Sequence, residues 1–278
     1  MLSYRHSFHA GNFADIIKHV VLVEILDHLV RKETPFEYID THSGAGLYNL
    51  ESGDAQKLQE HVNGIGKLEP EDFPELARYF EVINSYNEPG VFNCYPGSPS
   101  IARYFLRQQD RAWLFELHPQ DYKPLCNNMH NSKKIRVSCQ DGLKGMMALL
   151  PPTSRRGLVL IDPSYEIKSE YDQVFDAVVK GCKKFNTGIY AIWYPVVDRK
   201  KIDTLESKFV QSGIKNIQRF ELGISADSGS RGMCSSGIFV INPPWKLFGK
   251  MSGLLPRLAQ VLGERDAHFF KCDIISKE

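Results

Sequence analysis

Two hydrophobic rhythms alternate along the chain. Short apolar runs, seen in Phe36-Glu37-Tyr38-Ile39-Asp40, Ala112-Trp113-Leu114-Phe115, Ile135 to Cys139, Leu158-Val159-Leu160-Ile161 and Thr187 to Tyr194, predict buried strands. Between them, apolar positions three and four apart predict helices over Ile101 to Arg107, Glu170 to Phe185 and Lys201 to Gly213. A strand-helix alternation of this kind predicts an α/β fold with a largely parallel sheet. Two last strands, Gln218 to Ile224 and Ser236 to Ile241, are expected to add an antiparallel pair at its edge, with Ser225 to Gly232 between them as a substrate-side loop.

Two segments depart from that rhythm. Phe13 to Arg31, with Asn12 as N-cap and Asp15 in the first turn, predicts a helix apolar nearly all round and therefore buried. Lys18 and His19 interrupt it, so His19 is either a partnered core histidine or a contact to a bound molecule. Residues 51–95 break the alternation altogether. They predict an inserted, mainly helical subdomain, with Leu76, Tyr79, Phe80 and Ile83 on one face of a helix beginning near Pro74, flanked by a main domain of residues 1–50 and 96–278.

The candidate chemistry sits where strands end. Leu158 to Ile161 runs into Asp162-Pro163-Ser164-Tyr165. An exocyclic amino group on adenine or cytosine is a poor nucleophile because its lone pair is delocalised into the ring. The Asp162 carboxylate and the Pro163 carbonyl are placed to accept its two N–H groups, and Tyr165 offers a face for an extruded base. Acid, proline, variable residue and aromatic form the loop of amino-directed methyltransferases, although the usual form has a second proline where Ser164 stands. Asn242-Pro243-Pro244-Trp245, with its second proline, matches the amino-methyltransferase loop better than Asp162 to Tyr165 does, but it follows the last predicted strand, with no further α/β unit expected beyond it.

The other strand ends point to an adenosine-bearing cofactor. Asp40 leads into Thr41-His42-Ser43-Gly44-Ala45-Gly46, whose small residues let backbone amides approach a ligand. A dinucleotide loop would need a third glycine where Asn49 stands. Glu116 is placed to accept ribose hydroxyls, Asp141 of Asp141-Gly142 an adenine amino group, and Ser98 to donate to a ligand; helix capping is the alternative role for both acids.

Composition narrows the partners. The net charge of +1 divides into −2 over residues 1–50, −6 over 51–95 and +9 over 96–278, so a polyanion fits the basic remainder better than the acidic insertion. Tyr4, Arg5 and His6 fit contacts to nucleic acid, with a packed N-terminal arm as the other reading. The six cysteines form no CxxC pair, and no long apolar span interrupts the chain, so a cytoplasmic protein without structural metal or membrane segment is expected.

Taken together, MLSYRHSFHAGNFADIIKH, YIDTHSGAG, YPGSP, FELHP, DG, LVLIDPSYE, IYAIWYPVV, RGM and VINPPWKL resemble the RlmJ family, adenine-N6 methyltransferases of 23S ribosomal RNA. The resemblance implies a class I, Rossmann-like methyltransferase sheet with a small inserted subdomain. It implies S-adenosylmethionine contacts at His19, His42, Ser98, Glu116, Asp141 and Gly142, beside the glycine loop of Gly44 and Gly46. Asp162 is then catalytic, also facing the cofactor, with Pro163 and Tyr165 in the same loop. Tyr4, and with it Arg5, His6 and Lys18, falls on the RNA side of a monomeric enzyme. A DNA amino-methyltransferase, a DNA-utilisation protein or a non-catalytic nucleic-acid-binding protein on this fold are the alternatives.

Overall fold

The computed structural model describes residues 5–130, 132–226, 232–264 and 267–277. Helix α1 (Phe13–Val30) begins at Asn12, whose side chain accepts from the Asp15 amide. It packs on one face of the main sheet beside α5 (Ser98–Phe105) and α10 (Leu247–Leu262). Being covered from several directions explains its all-round apolar surface.

The sheet is built from β1 (Glu37–Asp40), β4 (Arg111–Phe115), β5 (Ile135–Ser138), β6 (Gly157–Ile161), β7 (Ile189–Val196), β8 (Ile217–Gly223), β9 (Ser235–Ile241) and β10 (Phe269–Ser276), in the order β10-β8-β9-β7-β6-β1-β4-β5. Strands β5, β4, β1, β6 and β7 pair in parallel, while β9 runs antiparallel to both β7 and β8. This is the class I methyltransferase order with one extra antiparallel strand, β10, on the edge. Helices α7 (Gly142–Leu149), α8 (Glu170–Lys184) and α9 (Arg199–Gln211) pack in succession, and α6 (Pro119–Asn128) connects β4 to β5. From β1 the chain crosses outward to β4 and β5, then returns from β5 to lay β6 on the other side of β1, and this switch opens a crevice at the carboxyl ends of β1, β4 and β6.

Several expectations need correction. Pro195 lies inside β7 rather than ending it. A helix and a strand, α10 and β10, follow Asn242-Pro243-Pro244-Trp245, although no further unit was expected there. The geometric objection to that sequence is stronger than the expected one: Ile241 pairs with Tyr190 at the start of β7, so Asn242 lies at the amino ends of the parallel strands, away from the crevice.

Residues 51–95 leave and rejoin the body through a short antiparallel pair, β2 (Leu47–Asn49) with β3 (Cys94–Pro96). Between them lie α2 (Gly53–Leu58), α3 (Glu60–Asn63) and α4 (Ala77–Asn84), the last preceded by a single 3-10 turn at Pro74–Leu76. Leu76, Tyr79, Phe80 and Ile83 are all buried, as their spacing predicted, and they join the same hydrophobic core as the sheet.

Because α1 carries part of the crevice wall, its packing governs the site. Ile17 is fully buried. Ile17→Ala is expected to lower unfolding free energy by about 2–5 kcal/mol, read by denaturant titration; a loss below 1 kcal/mol, on the order of a surface change, would mean that α1 is not held as described.

Candidate active site

The crevice is a cavity of about 870 Å³ at the carboxyl ends of β1, β4, β6 and β7. It brings together nearly all of the residues expected from sequence. His6, Lys18, His19, His42, Gly44, Ser98, Glu116, Asp141, Gly142, Asp162, Pro163 and Tyr165 line it. Gly46 stands behind the wall: at φ +79° its carbonyl accepts from the Gly97 amide, and its α-carbon faces Leu125 and Met129. Arg5 lies outside the lining, and Tyr4 falls outside the described residues. Of the expected Ser225 to Gly232 loop, residues 227–231 are likewise outside them, while Gly232 and Met233 reach the wall.

A buried carboxylate, Asp40, ties the glycine loop to the sheet. Tyr38 Oη and Ser98 Oγ each donate to Asp40 Oδ2 at 2.7 Å, and the His42 amide donates to Oδ1. Burial raises Asp40 to about 6. Burial also lowers His42 to about 4, so its imidazole is neutral near pH 7. Ser98 thus spends its hydroxyl on Asp40. The loop turns through Gly44 at φ +58°, and the Gly44 amide donates to Glu116 Oε2 at 2.8 Å while the His118 amide donates to Oε1 at 2.7 Å. Two carboxylate oxygens with spare lone pairs therefore face the cavity from Glu116.

Asp141 caps α7, accepting from the Lys144 amide at 3.1 Å, and Gly142 follows it. A Cβ on Gly142 would collide with the Thr41 carbonyl, so only glycine lets α7 meet the end of β1 this closely. A glycine-lined floor, two carboxylates at successive strand ends and a cavity of this size fit S-adenosylmethionine. No group of three or more metal-ligating side chains occurs among the described residues.

Opposite the floor stands an ionic chain. Asp15, Lys18 and His19 share one face of α1, at i, i+3 and i+4. Lys18 Nζ lies 2.7 Å from Asp162 Oδ2 and 2.9 Å from Asp15 Oδ1. Asp15 Oδ2 also accepts from the Gly11 amide and from His6 Nε2, each at 2.9 Å. Burial would strip Lys18 of its proton, but the two carboxylates outweigh it and hold the ammonium well above its ordinary value. Burial likewise works against the Asp15 carboxylate, and His6, Lys18 and His19 together keep it well below the usual range. Asp162 is shifted upward, chiefly by burial, with Lys18 pulling the other way. His19, lowered by burial to about 3, is a partnered histidine: its Nδ1 meets Tyr95 Oη at 2.9 Å and its ring stacks on Tyr95.

The loop after β6 is held in an unusual conformation. Tyr165 has φ +54°, a region that bulky residues rarely enter. Its hydroxyl donates to the Trp193 carbonyl at 2.8 Å, and its ring packs 4.3 Å from Tyr171 and 6.1 Å from Trp193. Tyr165 is 9% exposed, so Tyr171 already covers part of the ring. Trp193 also lies 5.8 Å under the Lys18 ammonium, and its buried indole nitrogen has no hydrogen-bond partner among the described residues.

Sequence reasoning missed Asp15, Tyr38, Trp193 and His118. For Asp15 the signal was present: with Lys18 and His19 it makes a polar stripe at helical spacing on an otherwise apolar helix. Trp193 and Tyr38 read as ordinary strand residues and carried no such mark.

Sheet order, glycine floor and acid-bearing strand ends define a class I S-adenosylmethionine-dependent methyltransferase. The comparisons make this specific. The family described as "Ribosomal RNA large subunit methyltransferase D, RlmJ" matches residues 33–273. The chain is 50% identical to the Haemophilus influenzae ribosomal RNA large subunit methyltransferase J over 94% of each chain, and 48% identical to the Escherichia coli protein of the same name over 93% of each. A Legionella pneumophila crystal structure superposes with a TM-score of 0.87 at 36% identity, covering 96% of this chain and 98% of that one. The chain belongs to the RlmJ family.

Gly142→Ala is expected to weaken S-adenosylmethionine binding at least tenfold in calorimetry, on the order of 1.4 kcal/mol, because the added methyl displaces Thr41 and the loop behind it. Unchanged affinity would show that this floor does not hold the cofactor.

Proposed function

We propose that this protein methylates N6 of an adenine in 23S ribosomal RNA, with the base drawn out of its stack into the crevice. One observation supports the reading above the others: Asp162 stands at the end of β6 on the cavity wall, paired to Lys18 and followed by Pro163, whose ring cannot donate. The two acceptors suit an amino group, which carries two donors. The curated relatives are named for ribosomal RNA, and a basic remainder of the chain suits that polyanion.

S-adenosylmethionine supplies a methyl group activated by its sulfonium. The residues of the chain then orient and deprotonate. Asp162 and the Pro163 carbonyl accept from the amino group, drawing its lone pair out of conjugation. As the nitrogen gains the methyl it becomes cationic and gives up one proton, which the Asp162 carboxylate receives. Lys18 steadies that carboxylate as an anion until then. Tyr165, fixed by Tyr171 and the Trp193 carbonyl, borders the base site, while His19, His42, Ser98, Glu116, Asp141 and Gly142 frame the cofactor side. His6 and Lys18 on the cavity wall, with Arg5 just outside it, take the RNA side. Positioning of the reacting atoms supplies most of the acceleration. A monomer carries all of these groups, and none of the described helices is long and apolar enough to cross a membrane.

Asp162→Ala is expected to abolish methyl transfer while S-adenosylmethionine still binds; full activity in that variant would remove Asp162 from the reaction. The pH profile gives a second check. A protonated Asp162 accepts from the amino group only as a weaker, neutral oxygen and cannot take its proton, so activity falls as pH drops through its pKa. Since burial raises that pKa, the acid limb should lie above the ordinary aspartate value of about 3.9. Lys18→Gln removes the opposing charge and should move the limb higher still, beneath a lower maximum; a limb that moves down would contradict the pairing.

A further inference from the structure

The acidic insertion takes no part in the steps above, yet Leu58, Glu60 and Asn63 reach the cavity mouth. There they meet the N-terminal segment. Arg5 Nη2 lies 3.3 Å from Asp54 Oδ2, and Ser7 Oγ donates to the same oxygen at 2.7 Å. His9 Nδ1 contacts both Glu60 oxygens, at 3.0 and 3.1 Å, and Asn12 Nδ2 donates to Glu60 at 2.9 Å. The Lys57 ammonium lies 5.8 Å from the Phe8 ring centroid. Backbone closes the seam: the Ile65 amide donates to the Gly11 carbonyl at 2.9 Å, and a Cβ on Gly64 would collide with that carbonyl.

From this seam the segment leads straight into the ionic chain, because His6 contacts Asp15 and Asp15 holds Lys18 beside Asp162. We propose that Asp54 and Glu60 are positioning residues, the counter-charges by which the acidic insertion seats the basic N-terminal segment over the active site. The proposal rests on the reading that this segment faces the RNA. It assigns two of the insertion's acids a use that does not set them against phosphate: Asp54 and Glu60 are turned to Arg5, Ser7, His9 and Asn12. Each contact is half-exposed and weak alone. Several on one short segment, with a backbone bond and a close glycine contact, fix its path.

The test is Asp54→Asn/Glu60→Gln in the full chain, followed by hydrogen exchange resolved by mass spectrometry and by methyl-transfer kinetics. Amides of residues 6–12 should exchange faster, and KM for RNA should rise roughly five- to tenfold, with exchange in the sheet unchanged. Exchanging the charges, His9→Glu with Glu60→His, should restore slow exchange relative to Glu60→Gln. Unchanged exchange in the double variant would overturn the proposal. Should that variant loosen the sheet as well, the charge-exchanged variant decides: slow exchange restored supports the seating, and none restored overturns it. The exchange readout does not depend on methylation, so an inactive wild type would count against the functional reading and leave this one to be judged.

Discussion

The pairing of Lys18 with Asp162 and Asp15 is the constraint on which the site depends. An ammonium and two carboxylates lie almost out of water, where each alone would be costly to keep charged, and removing one partner from such a set typically costs about 3–5 kcal/mol. The set therefore fixes α1 against the end of β6. It also joins the loop after β6 to the N-terminal segment through His6. Packing alone would not specify that register, since α1 is apolar on nearly every side and could settle in several rotations; the polar stripe of Asp15, Lys18 and His19 selects one.

The sheet makes the pairing useful. Parallel strands deliver Asp40, Glu116, Asp141 and Asp162 to one edge, and the crossover switch beside β1 leaves room between them. Asp40 is consumed in structure, held by Tyr38 and Ser98, and so braces the glycine loop rather than touching solvent. Glu116 and Asp141 each bond a turn or cap and also line the cavity. Functional and structural roles for these acids are thus compatible, and the capping seen for Asp141 does not compete with a cofactor contact.

Much of this was legible in the sequence. Uninterrupted apolar runs marked the buried strands because parallel strands are covered on both faces, and the order of acids at their ends marked the crevice. What escaped was of two kinds. Helix α10 and strand β10 follow a proline-rich turn, and β10 is a half-buried edge strand whose alternation includes Lys271 and Asp273, so its pattern is faint. The second kind depends on contacts across the fold. Nothing local shows that Trp193 lies beneath Lys18, that Tyr165 packs against Tyr171, or that Asp54 and Glu60 of the insertion face Arg5 and His9. Asn242-Pro243-Pro244-Trp245 shows the opposite hazard, since the better letter match stands at the wrong end of the sheet, with Trp245 78% exposed.

The most direct measurement is transfer of labelled methyl from S-adenosylmethionine to unmodified 23S RNA, with genomic DNA in a parallel reaction and digestion to nucleosides. Label recovered as N6-methyladenosine from the RNA, with the DNA unlabelled, is the expected result. Label in the DNA, label on another position of the RNA, or none in either would contradict the assignment of this crevice to adenine N6 of ribosomal RNA.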